Sequence, residues 1–279
     1  MDELYAQLLE KSVPSSSMAC MLIAGILSLA IPIILAVYLK KKYNCDLKPL
    51  LVGALTWMVF ARILEGFVHQ LVLGSSFGTS IMGNMLIYAL YGGVMAAVFE
   101  ETGRLVAMKT ALKPCFGNDK NALMYGTGHG GIESVLLLGF TMVSNLVAAM
   151  TINTHQLQPL YDALKTVTEE EAVTALNNYI ALTEYPAAMF LVGAVERIFA
   201  IALHLALSVL VWKAVKESKM IYFVFALLGH FLADFLSGYL ASTTTNVLIA
   251  ELYVILVTSA LVAAVYFIVK RSKNLESIQ

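Results

Sequence analysis

Seven long apolar runs decide what this chain can become. They fall at about residues 18–39, 49–72, 80–108, 121–150, 185–212, 219–240 and 246–269. Each is near or above the roughly 20 residues an α-helix needs to cross the hydrocarbon core. Backbone amides in hydrocarbon have no water to bond, so such runs must satisfy them internally as helices. Seven crossings use about 140 of the roughly 165 hydrophobic residues that 59% of 279 represents. Only 13% of the chain is charged, against about 25% in soluble domains. A water-soluble globule, a disordered chain and a disulfide-stapled secreted protein are all excluded. The expected fold is all-α, a polytopic membrane protein forming one integral-membrane domain over residues 1–279.

The loops give the orientation. One set carries Lys40, Lys41, Lys42 and Lys48, then Lys109, Lys113 and Lys120, then Lys213, Lys216 and Lys219, then Lys270, Arg271 and Lys273. The other set, at 74–80, 151–184 and 241–246, is nearly free of cations, with Lys11 and Lys165 as the exceptions on that side. Cations stay in the cytoplasm, so the N-terminus is expected outside and the C-terminus inside. The polar, acidic start MDELYAQLLEKSVPSSS does not read as a cleaved signal peptide. Cys20, Cys45 and Cys115 show no CxxC spacing and form no zinc or disulfide framework. In the 151–184 segment, Val173, Leu176, Tyr179 and Ile180 have helical spacing behind a possible N-cap at Thr168. This predicts a short amphipathic helix, read as a connector in preference to a lid. No internal repeat is evident.

Ionisable residues inside the runs are the second constraint. The spans contain Arg62, Glu65, His69, Glu100, Glu101, Arg104, His129, Glu133, Glu196, Arg197, His204, His230 and Asp234. A charged side chain at the bilayer centre costs at least about 2.5–3.5 kcal/mol, so such groups must pair, bind a metal or face water. Spacing sorts them. Glu100 and Arg104, His129 and Glu133, and His230 and Asp234 are each four apart; Arg197 and His204 are seven apart. Each pair therefore shares a helix face. Counted from the cytoplasmic lysines at 1.5 Å per residue, Glu101, His129, His204 and His230 lie about 12–17 Å deep, as one layer.

Taken singly, these pairs have an equally good structural reading. Glu133 neutralises His129, Glu100 pairs with Arg104, and Glu196 forms a local ion pair with Arg197. Arg62, Glu65 and His69, at i, i+3 and i+7, satisfy one another or line a substrate groove. Gly126, Gly128, Gly130 and Gly131 are better explained by close helix packing than by a phosphate loop, because no strand precedes them and no GK[ST] follows. The coincidence of four stripes at one depth is what resists the structural account.

Such a layer has the parts for peptide hydrolysis: a base to activate water, and donors or a metal to stabilise the oxyanion. In a metal version, two or three of His129, His204 and His230 hold Zn²⁺ with a carboxylate, Glu101 being the candidate, and a fourth position stays open for water. In a metal-free version a glutamate deprotonates the water, and histidines donate to the oxyanion. HExxH and GxSxG are both absent, so an ordinary zincin and serine chemistry are disfavoured. No organic cofactor and no nucleic-acid partner are expected. The alternatives from other classes are an ion- or proton-coupled transporter, marked by a second polar set continuing to the outer face, and a scaffold whose polar layer only holds helices together.

The order Glu100-Glu101-Thr102-Gly103-Arg104, then Gly128-His129-Gly130-Gly131-Ile132-Glu133, then Arg197 with His204, then His230 with Asp234, resembles the YhfC family of bacterial intramembrane proteases. That family is related to the PrsW proteases and to the CAAX and bacteriocin-processing proteases. The resemblance covers about residues 80–240, the expected catalytic core. It implies an endopeptidase in the bacterial cytoplasmic membrane, acting on membrane-associated or membrane-embedded protein or peptide substrates. Glu100 and Glu101 match the paired glutamates of the first motif, with Arg104 as its basic residue. Glu133 matches the acidic end of the second motif, FxxxE in PrsW-like proteins, with His129 at the Phe position. His204 and His230 match the third and fourth motif histidines, and Asp234 a position often held by Asn in CAAX proteases. EETGR has two residues before its arginine, as in the PrsW type, where the CAAX pattern has three. The motifs leave open whether the chemistry is metallo- or glutamate-type.

Overall fold

Helices account for every apolar run in the computed structural model, which describes residues 1–276 and side chains as far as Arg271. In chain order they are α1 (Asp2–Leu9), α2 (Ser15–Tyr43), α3 (Leu47–Leu73), α4 (Ser76–Met82) and α5 (Met85–Lys109). These are followed by α6 (Asn121–Asn153), α7 (Gln158–Leu164), α8 (Glu169–Glu184), α9 (Ala187–Lys216), α10 (Ile221–Thr243) and α11 (Val247–Glu276). No strand occurs among the described residues. The side chain of Lys273, counted among the cytoplasmic cations, and the last three residues lie outside what is described.

Six helices (α2, α3, α6, α9, α10 and α11) are long and apolar enough to cross a membrane, and a seventh candidate is the α4–α5 pair. The sequence reading of one run over 80–108 is corrected here, because the two helices meet at a bend of 110°. Gly83 ends α4, and the Asn84 side chain accepts hydrogen bonds from the Leu86 and Ile87 amides, which starts a new helix in a new direction. At 25 residues, α5 is about 37 Å long, a length that matches the thickness of a bilayer. Its apolar character is diluted by the acidic pair and arginine near its end. Lys40–Lys42, Lys109, and Lys213 with Lys216 fall in the last turns of α2, α5 and α9, where cations complement the helix dipole.

The chain divides into two compact units. The first comprises residues 1–29 and 135–195. Its core joins Leu8, Val13, Met21 and Ala24 to Met142, Ala149, Ile152, Leu157 and Leu176. Thr168 caps α8 in a reciprocal capping box with Glu171, and Leu176 and Ile180 are buried beside Ala172. The helix expected there is present. The sequence missed that α1 packs against this segment: Tyr5 stacks on Tyr161 at 4.1 Å, and Lys11 reaches Glu184 at 2.7 Å. The Asn153 amide clamps Val13, accepting from its N–H at 2.7 Å and donating to its carbonyl at 2.9 Å.

The second unit comprises residues 30–134 and 196–279 and carries the polar layer. Its most extensive helix pairings are α5 with α10 and α3 with α6. Leu207, Leu210, Val211 and Trp212 of α9 pack with Met108, Leu112, Tyr125 and Ala226 to form its apolar core. Where α6 passes α3, a Cβ on Gly128 would lie 1.9 Å from the Leu50 carbonyl oxygen. A Cβ on Gly130 would lie 2.9 Å from the His204 ring on α9. Glycines here let backbones approach on both sides of α6, as the sequence suggested.

Candidate active site

A little more than one turn near the end of α5 begins the site. Glu100 and Arg104 share a face, Glu101 stands beside them, and all three are buried, with Glu101 and Arg104 wholly so. From α6 comes His129, also wholly buried, with Glu133 one turn on. Helix α9 supplies His204, and α10 supplies His230 with Asp234. Thus four separate helices deliver their polar groups to one place.

The contacts are direct. Glu100 Oε2 lies 2.8 Å from His129 Nε2, and 3.9 Å from both His204 Nδ1 and His230 Nε2. Glu101 Oε1 accepts a hydrogen bond from His230 Nδ1 at 2.8 Å, and His230 Nε2 stands 3.3 Å from Asp234 Oδ2. His204 Nε2 lies 2.6 Å from Glu133 Oε2, and Arg197 Nη1 donates to Glu133 Oε1 at 2.8 Å. Arg197 also pairs with Glu196.

Arg104 ties these groups together. Its Nη1 donates to the His204 carbonyl at 3.1 Å and to Ser208 Oγ at 2.6 Å. Its Nη2 lies 3.3 Å from His129 Nε2 and 3.1 Å from His204 Nδ1. Its Nε faces Glu101 Oε2 at 3.1 Å as an ion pair, without the alignment of a hydrogen bond. The four N–H groups on Nη1 and Nη2 therefore each face an acceptor, while the fifth, on Nε, is held only by charge.

The donor set suits a metal. One ligand atom each from Glu100, His129 and His204 lie within 4.8 Å of one another, all three residues are buried, and a His₂Glu set is a zinc donor set. His204 has the outer support a ligating histidine uses, since its second nitrogen meets Glu133, itself held by Arg197. His129 Nδ1 has no such partner among the described residues.

All eight candidate residues, Glu100, Glu101, Arg104, His129, Glu133, His204, His230 and Asp234, join this one network, but the pairings differ from those read in the sequence. Glu101, three residues away, meets Arg104 where Glu100 was expected, which frees Glu100 for the histidines. Glu133 meets His204 of α9, not His129 on its own helix. The proposed ligand set was His129, His204, His230 and Glu101; the group that converges contains Glu100 in place of Glu101, while Glu101 and His230 bond each other. The layer is also thicker than a single depth, because Arg197 joins it from seven residues, about 10 Å, before His204.

Glu65 and His69 pair at 3.1 Å, and His69 Nδ1 lies 2.9 Å from the Tyr91 hydroxyl. Arg62 stands instead at 6.0 Å from the Trp57 ring. A π-helical stretch over Met58–Glu65 changes the turn spacing that the i, i+3 reading assumed. Ser208 was missed. The signal was its position four residues after His204, on the same helix face.

The helices and this buried Glu/His/Arg centre define a multi-pass membrane protein with a polar site within its helix bundle. A family model described as YhfC intramembrane metalloprotease matches residues 27–254. The chain is 34% identical over 219 residues to the "Uncharacterized membrane protein YhfC" of Bacillus subtilis (strain 168), covering 78% of this chain and 83% of that one. No solved structure matches. The chain belongs to the YhfC intramembrane metalloprotease family.

Proposed function

We propose that the chain is an intramembrane endopeptidase that hydrolyses peptide bonds of membrane-associated or membrane-embedded proteins, with its core in residues 80–240. The observation that carries this reading is the buried convergence of Glu100, His129 and His204 in a chain of this family. In the proposed arrangement the N-terminus is outside, the C-terminus is cytoplasmic, and the bilayer is that of the bacterial cytoplasmic membrane.

Glu100, His129 and His204 would hold a divalent ion such as Zn²⁺, which when bound supplies a Lewis acid and lowers the pKa of water to about 7. Glu100 is assigned the proton transfers: it takes a proton from the attacking water and returns it to the departing amine. A carboxylate has two oxygens, so holding an ion with one leaves the other for the proton. His230, whose Nδ1–H is held by Glu101 at 2.8 Å, donates to the oxyanion from Nε2, which Asp234 faces at 3.3 Å as an ion pair without the alignment of a hydrogen bond. Glu133, fixed by Arg197, sets the orientation of His204. Glu101 and Arg104 hold one another in place without reaching for substrate.

The test uses purified protein in liposomes containing a library of transmembrane peptides, with products read by mass spectrometry and bound metal by elemental analysis. Cleavage by the wild type that is lost in Glu100→Gln and suppressed by chelator is the expected result. Full cleavage by Glu100→Gln would remove the assignment, and no cleavage of any peptide by metal-loaded wild type would remove the activity.

A further inference from the structure

An imidazole nitrogen that carries no proton has one lone pair, and that lone pair either accepts a hydrogen bond or ligates a metal. An arginine N–H always donates, because the guanidinium does not lose its charge in proteins. His204 Nδ1 is 3.1 Å from Arg104 Nη2, while Nε2 of the same ring is 2.6 Å from the Glu133 carboxylate. The Arg104 contact meets hydrogen-bond geometry, so the Nδ1 lone pair accepts from Arg104 and the ring proton is placed on Nε2, which faces the Glu133 carboxylate as an ion pair without the alignment of a hydrogen bond. Nδ1 is also the nitrogen that faces Glu100, at 3.9 Å. At His129 the same Arg104 nitrogen is 3.3 Å from Nε2, farther than Glu100 at 2.8 Å. One ring is thus shared and the other capped.

We propose that Arg104 is an internal cap on the ligand nitrogen of His204, so that a metal ion enters this site only as Nη2 leaves. The inference rests on the metal-site reading given above. Arg104 has the build of a cap that can be displaced locally. Its contacts to Glu101, the His204 carbonyl and Ser208 do not involve the ligand lone pairs and can persist, whereas its 3.3 Å contact to His129 Nε2 is made by the same Nη2 and leaves with the cap. The contact from Nη2 holds the His204 ring as the tautomer a metal needs, with no proton on Nδ1. Arg104 is therefore a positioning residue with two opposed effects, presenting the ligand nitrogen and competing for it.

The experiment uses full-length protein in nanodiscs, stripped of metal, with two readouts that need no cleavage. In ¹⁵N-histidine NMR of metal-free wild type, His204 is expected as the Nε2–H tautomer. An Nδ1–H tautomer would overturn the cap. In a Co²⁺ titration followed by absorption, Arg104→Gln is expected to bind at least about tenfold more tightly than wild type. Equal affinity would overturn the cap and leave the metal site standing, whereas no Co²⁺ binding by folded Arg104→Gln would overturn the metal-site reading and the competition with it. Should Arg104→Gln fail to fold with Glu101 unpaired, Ser208→Ala keeps the arginine and its Glu101 partner and loosens a single anchor. It is expected to tighten Co²⁺ by about two- to fivefold, and no change would count against the cap.

Discussion

Glu100 of α5 and His129 of α6 meet at 2.8 Å, 29 residues apart in sequence, in a place nearly closed to solvent. A carboxylate in such a position has no structural need to be there, since Glu101 already satisfies Arg104. Glu100→Gln keeps the shape and removes the base. Cleavage is expected to fall by about 10²–10⁴-fold, the contribution of a general base, while the protein still inserts and its unfolding temperature moves little. Parallel assays of peptide cleavage and thermal unfolding check both halves.

Glu101 predicts the opposite balance. It and Arg104 are wholly buried, and each is the other's counter-charge. Removing one partner of a buried ion pair strands the other, at a cost of about 3–5 kcal/mol. Glu101→Leu is therefore expected to destabilise the protein by about that amount, measured by unfolding in detergent. Glu101→Gln should cost less, because its amide oxygen still accepts from His230. Equal stability of Glu101→Leu and wild type would show that the pair does not bear on folding.

What the sequence revealed here was decided by length and by spacing within one helix. A run of apolar residues announces a span, and an i, i+4 pair announces a face, because both depend only on local geometry. Which face meets which neighbour depends on helix rotation and crossing, and these are set by contacts between segments far apart in the chain. That is why His129 and Glu133 were found but joined to each other, when the structure joins them to Glu100 and His204. Ser208 escaped because a serine in an apolar run carries no anomaly; its role appears only once Arg104 arrives from α5. The bend at Asn84 was hidden by apolar residues on both sides of it.

Gly128 and Gly92 separate two kinds of helical glycine. A Cβ on Gly128 would lie 1.9 Å from the Leu50 backbone oxygen, which cannot rotate away, whereas a Cβ on Gly92 meets nothing within 4 Å. Gly128→Ala must push α3 from α6, and is expected to cost about 1–3 kcal/mol or more from overpacking, with loss of activity because His129 is the next residue. Gly92→Ala should stabilise by up to about 1 kcal/mol through helix propensity. Unfolding of the two variants side by side reads the difference in sign, and a stable, active Gly128→Ala would contradict the close approach.

Asp119, in the connection between α5 and α6, gives a pH dependence outside the spans. Burial pushes its carboxyl pKa up, but hydrogen bonds from Lys216 and Trp212 and the charges of Lys216 and Lys213 more than reverse this, so it lies below the usual aspartate value. Trp212 Nε1 donates to Asp119 at 3.0 Å and Lys216 Nζ at 2.6 Å. A carboxylate with a lower pKa folded than unfolded contributes stability above its unfolded pKa of about 3.9, and loses it as pH falls through the folded value. The Asp119 side chain is 65% exposed, so the contribution is on the scale of an exposed pair, under about 1 kcal/mol. Asp119→Asn is expected to be slightly less stable than wild type at pH 7, with the gap closing below about pH 4 as the wild-type carboxyl takes up its proton. Thermal unfolding of both proteins across that range, followed by Trp fluorescence, tests it. A gap that widens on acidification would mean that Asp119 is not held as the anion by Lys216.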